Sequence, residues 1–150
     1  MKKLLCALLL VPSFALAQPT VIKAARLFDG TSDTVTRNAV VVIDGKRITA
    51  VGANAAIPPN ARIIDLGDVT LLPGFIDAHV HLTGESGDNW YLDHFNELMR
   101  QPAEQALLAT TYARKTIDAG FTTVRNVGAG DYVDVGLRNA INNGWVVGPR

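Results

Sequence analysis

The chain has 150 residues, 48% of them apolar, with 14 basic and 14 acidic side chains and a formal net charge of zero. That length and composition allow a globular core and exclude a disordered or fibrous chain. A balanced charge supplies no basic face for nucleic acid or for an anionic membrane, so neither is an expected partner.

The first element is a leader. Met1-Lys2-Lys3 is a short positive start, Leu4 to Leu16 is almost wholly apolar, and Ala15-Leu16-Ala17 has the small-x-small pattern of a signal-peptidase site. Residues 1–17 are therefore expected to be a secretory signal peptide cleaved after Ala17. The apolar run is shorter than the about 20 residues of a membrane span, so no membrane association is expected after cleavage. The expected destination is export, to the periplasm. Cleavage removes Cys6, the sole cysteine. An exported chain without disulfides must rely on its core, which calls for a fairly large fold.

Residues 18–72 read as short strands. Thr20 to Leu27 closes at Asp29-Gly30, and Ala39 to Ile43 is rich in β-branched residues. Asp44-Gly45 then separates it from Lys46 to Gly52, the pattern of a hairpin with a type I′ turn. Ala61 to Leu66 and Val69 to Leu72 flank a second turn pair, Gly67-Asp68. A small antiparallel β unit is expected.

The pattern changes at Pro73-Gly74. Phe75 to Leu82 is a strand, followed by a polar stretch and a short helix near Tyr91–Arg100. Pro102 to Ala119 is a helix with Ala103, Ala106, Leu107, Ala113 and Ile117 on its apolar face. Phe121 to Val127 is again a strand. Asp131 is the expected cap of a helix carrying Val133, Leu137 and Ile141, ended by Gly144, and Trp145-Val146-Val147 starts another strand. The β-α-β-α-β order predicts an α/β fold with a parallel sheet.

Within the Phe75–Leu82 strand lies Asp77-Ala78-His79-Val80-His81. Side chains alternate along a strand, so Phe75, Asp77, His79 and His81 share one face and Ile76, Ala78 and Val80 the other. Two imidazoles about 7 Å apart on one face can lean toward a single divalent ion, because neutral imidazole is a common zinc ligand. Taken alone, a His-x-His pair reads more readily as two core histidines bonded to backbone or water. Asp77 is a candidate partner for the ligands or, equally, a residue bonded to local backbone. Arg125 and Asn126 end the second strand, and one of them is placed to touch substrate. His94, beside Trp90, Tyr91 and Phe95, is expected to pack or be solvated. Lys115 lies on a helix flank.

The segment LLPGFIDAHVHL, residues 71–82, resembles the strand that opens the barrel in the amidohydrolase superfamily. The preceding VVVIDGKRITAVG resembles the small β-sandwich strands of that superfamily. GFTTVRNVG, LRNAINNG and the final GPR are similar to its imidazolonepropionase-like and Xaa-Pro dipeptidase-like branch. The resemblance implies the start of a (β/α)8 TIM barrel over residues 73–150, preceded by a β-sandwich part over residues 18–72. It implies His79 and His81 as ligands of a divalent metal, Zn2+ being the expected ion, with one or two ions in a complete enzyme. It implies hydrolysis of a carbon–nitrogen bond in a small amide, dipeptide or cyclic amide by metal-activated water. The remaining ligands and the general base belong to later strands. Many relatives carry Asp at the position of Asn126.

A barrel of this kind needs about 250 residues, and these 150 reach its third strand. The chain is therefore expected to be a truncated copy, weak in metal binding and inactive alone. Alternatives are a non-catalytic remnant or interaction module, and a deaminase or imidazolonepropionase-type cyclic amidohydrolase. A homo-oligomer is compatible with all of these.

Overall fold

The structure is a computed structural model and describes residues 18–150. The expected signal peptide, residues 1–17, lies outside the described residues. The chain divides at the Pro73–Gly74 bond into two compact units, each with its own sheet. Among the described residues no helix is long and apolar enough to cross a membrane.

The first unit is one five-stranded sheet. Strands β1 (Thr20–Leu27), β2 (Thr36–Asp44) and β3 (Arg47–Gly52) pair antiparallel in the order β3-β2-β1. The expected hairpin joins β2 to β3, but one residue later than the Asp-Gly pattern suggested. Asp44 pairs with Arg47, so Gly45 and Lys46 are the turn centres. Gly45 alone of the two has positive φ, at 57°, which is the pattern of a type II′ rather than a type I′ turn.

The expectation of an all-antiparallel unit is corrected at the other edge. Strands β4 (Arg62–Asp65) and β5 (Thr70–Leu71) do not pair with each other; both run parallel to β1. They are two halves of one broken strand. Between them Gly67, at φ 67°, accepts the Ala25 N–H at 2.9 Å, and Val69 accepts the Arg26 N–H at 3.1 Å. The Gly67-Asp68 pair is thus a bulge-like step along β1 and not a reversal. The core of this unit lies on both faces of β2, where Ala39, Val40, Val41 and Val42 are all buried.

The second unit is α/β, as expected. Strand β6 (Phe75–Val80) is followed by helices α1 (Trp90–Met99) and α2 (Pro102–Asp118), then by β7 (Phe121–Asn126), which pairs parallel to β6. Helix α3 (Val133–Asn142) follows. Asn89 caps α1 by accepting the Leu92 N–H at 3.1 Å. The core joins Leu82, Ala109, Ala113, Val133 and Leu137.

Three details of this unit differ from expectation. The inner face of α2 carries Leu108, Ala109, Tyr112, Ala113 and Thr116, whereas Ala103, Ala106 and Leu107 are exposed. Small side chains at 109 and 113 let the helix approach closely; the larger Leu107 points to solvent, 72% exposed. Asp131 does not cap α3. Asp131 and Tyr132 are both left-handed, at φ 52° and 55°, and Tyr132 occupies the cap position without a side-chain bond. Asp134, within the first turn, accepts the Val135 N–H at 2.9 Å instead.

Finally, Trp145 to Val147 do not form a strand. The Trp145 N–H is still bonded to Ala140 O, at 2.9 Å, and Pro149 has no N–H to give a ladder. The next rung forms only at Arg150, whose N–H donates to Thr122 O at 2.9 Å and whose carbonyl accepts the Val124 N–H at 2.8 Å. Gly148 passes beneath α2 and α3; a Cβ there would lie 2.9 Å from Ala113 Cβ and 2.7 Å from Ile141 Cδ1.

Gly74 has a similar role where β6 begins, since a Cβ on it would overlap the Thr122 side chain. Gly74→Ala is expected to lower unfolding stability by about 1–3 kcal/mol, as overpacking does. Denaturant unfolding checks this, and an unchanged midpoint would refute the close approach of β6 to Thr122.

Candidate metal centre

Strand β6 delivers His79 and His81 to its C-terminal end. Their ring centroids lie 5.7 Å apart with planes at 66°, closer than the about 7 Å of straight strand spacing, so the rings converge. Both residues are exposed. The ladder between β6 and β7 is irregular here. The register shifts between Asp77 and Val80, where two residues of β6, Ala78 and His79, oppose one of β7, Arg125. A bulge of this kind re-aims side chains and leaves main-chain groups without ladder partners.

The three further candidates from the sequence supply those partners. Asp77 Oδ1 accepts the His79 N–H at 2.9 Å. Arg125 Nε donates to Ala78 O at 2.8 Å. Asn126 Oδ1 accepts the Leu82 N–H at 2.8 Å. Asp77 therefore holds the backbone of the first histidine rather than its ring, and Arg125 is engaged with the main chain of β6. Because Ala78 and His79 are exposed, water competes for these bonds. Each contributes about 0.5–1.5 kcal/mol at most, and their larger effect is on direction.

His81 has a second contact. Its Nδ1 lies 3.4 Å from Gly128 O, and Asn126 Nδ2 lies 3.1 Å from the same oxygen. His81 also lines a cavity of about 450 Å³, walled by Glu85, Trp90, His94, Arg100 and Gly128 among others. Of the aromatics in this helix, Trp90 lines the cavity and Tyr91 and Phe95 do not. His94 stacks on Trp90 at 5.1 Å with planes 10° apart, so it is a packing residue. Lys115 donates to Glu85 at 2.9 Å and is tied to the loop after β6.

The donor set fits part of a metal site. Two imidazoles that converge and carry no acid partner are suited to a divalent cation. Among the described residues no group of three or more His, Cys, Asp or Glu side chains is placed to hold an ion. His79 and His81 can thus supply two ligands of a larger set.

Comparison with known proteins defines the class. Residues 70–150 match the model of the amidohydrolase family. Over 147 residues the chain is 32% identical to ochratoxinase of Aspergillus niger, covering 95% of this chain and 29% of that protein. Among solved structures it resembles a Xaa-Pro dipeptidase crystallised with bound methionine, with a TM-score of 0.73 and 36% identity over 89% of this chain and 32% of the other. The crystal structure of the Aspergillus niger ochratoxinase gives a TM-score of 0.71 at 30% identity. The chain belongs to the amidohydrolase family. It spans about three-tenths of the length of these relatives.

The role of Asp77 can be separated from that of a charged partner. Asp77→Asn keeps an oxygen for the His79 N–H and is expected to leave stability within about 0.5 kcal/mol, whereas Asp77→Ala should cost about 0.5–1.5 kcal/mol. Equal losses for Asn and Ala in thermal unfolding would show that the charge, not the acceptor, matters.

Proposed function

We propose that the protein is an exported, metal-dependent hydrolase of carbon–nitrogen bonds in which His79 and His81 hold a divalent ion, Zn2+, together with groups from later in a (β/α)8 barrel. The observation that carries this reading is the convergence of the two rings at 5.7 Å on a strand of a chain that belongs to the amidohydrolase family. When bound, a divalent ion lowers the pKa of its water, making hydroxide available near neutral pH, and polarises the amide carbonyl.

The residues described here orient and enclose. Asp77, Arg125 and Asn126 fix the backbone that aims the imidazoles. The cavity beside His81, with Trp90 on its wall, is large enough for a small amide and offers an apolar ring surface to it. A dipeptide or a comparable N-acyl amino acid is the favoured substrate class, because the likenesses to the Xaa-Pro dipeptidase and to ochratoxinase extend over nearly all of the chain. A cyclic amide is the second choice. It draws on shorter likenesses, such as 35% identity over 88 residues to imidazolonepropionase of Streptomyces griseus and 45% over 56 residues to allantoinase of Streptomyces avermitilis.

The test is metal analysis of the full-length protein, with the later barrel strands present, beside its His79→Ala, His81→Ala variant, with hydrolysis of Xaa-Pro dipeptides measured on both. The expected outcome is stoichiometric zinc and turnover in the first and loss of both in the second. Equal zinc content in the two proteins would end the reading.

A further inference from the structure

Resting on that metal-dependent reading, we propose that Asn126 is a positioning residue for His81. It acts through the Gly128 carbonyl and sets which ring nitrogen of His81 carries the proton.

The amide of Asn126 has three partners of unlike kind. Its Oδ1 faces the Leu82 N–H at 2.8 Å. Its Nδ2 faces Gly128 O and Asp134 Oδ2, each at 3.1 Å. A backbone N–H needs an acceptor and two oxygens need donors, so the amide fits in one orientation only. It ties the end of β6, the loop after β7 and the first turn of α3 to a single side chain. That loop includes two consecutive non-glycine residues in the left-handed region, Asp131 and Tyr132, a costly conformation that persists only where its surroundings hold it.

The tie determines where the Gly128 carbonyl points. The same oxygen lies 3.4 Å from His81 Nδ1. A carbonyl can only accept, so this long contact favours the ring that carries its proton on the nitrogen facing it. In the neutral ring the lone pair then belongs to Nε2. A metal ligand must offer a lone pair, and fixing the tautomer removes a competing state that cannot bind through that nitrogen. An aspartate at 126 could not do this. It has no donor for Gly128 O, and its carboxylate would stand against that of Asp134. Asn126 and Asp134 are therefore a matched pair in this chain.

The experiment uses the metal-free full-length protein with 15N-labelled histidine. Long-range 1H–15N correlation reports the His81 tautomer, and competition with a chromophoric chelator reports Zn2+ affinity. Wild type is expected to show Nδ1–H at His81. Asn126→Asp is expected to lose stability and the single tautomer. Adding Asp134→Asn exchanges the charge and restores the bond to α3, so stability should return. The donor to Gly128 stays absent, so the tautomer should remain mixed and zinc affinity should stay about tenfold below wild type. A double variant that is folded and keeps the wild-type tautomer or the wild-type zinc affinity overturns the proposal. So does Nε2–H at His81 in the wild type, a result that needs no variant to fold. Neither outcome touches the metal-dependent reading, which fails separately if the His79→Ala, His81→Ala protein still holds zinc.

Discussion

Between Asp77 and Val80 the main-chain ladder of β6 slips against β7, and side chains take over the bonds that the ladder gives up. Asp77 receives the His79 N–H, Arg125 donates to the Ala78 carbonyl, and Asn126 receives the Leu82 N–H. A regular parallel pair would hold the backbone by itself and point alternate side chains straight out from the sheet. Here the backbone is held by residues from both strands, and the rings of His79 and His81 turn toward each other. The placement of the candidate metal centre depends on this substitution.

The packing around it favours small residues. Ala109 and Ala113 are fully buried, Gly148 passes within overlap distance of Ala113 and Ile141 for any added Cβ, and Gly74 does the same against Thr122. Interiors packed at crystal density tolerate no added methyl at such points. The helices can therefore lie close to the two strands, and Leu82, directly after His81, is buried in the same core. The core thus anchors one side of the histidine segment while the Asn126 amide anchors its main chain.

The loop after β7 carries the other half of the arrangement. Gly128 contributes a carbonyl to both His81 and Asn126, and the left-handed pair Asp131-Tyr132 turns the chain into α3. Strain of this kind collects where a fold holds a functional group in place. The loop after β6 is held separately, by Lys115 on Glu85 and by the Gly87 N–H on Asp93 at 2.6 Å. Both loops contribute to the wall of the cavity that His81 faces.

Local chemistry alone placed strands β6 and β7 and the three helices of the second unit, marked the break at Pro73-Gly74 and put His79 and His81 on alternate residues of one extended segment, but not the strand expected at residues 145–147. Alternation, helical spacing and glycine stops are properties of short segments and need no knowledge of what packs where. What only the tertiary structure decided was partnership. That β4 and β5 both join β1 in parallel follows from the edge β1 offers, not from the Gly67-Asp68 pair between them. That α2 buries Ala109 rather than Leu107 follows from how closely the helix must approach the sheet. That Arg125 and Asn126 serve the main chain of β6 and of Leu82 after it follows from pairing between residues 44 or more positions apart, a distance over which no pattern along the chain carries information; the Asp77 bond to His79 is local and was one of the two readings open in the sequence.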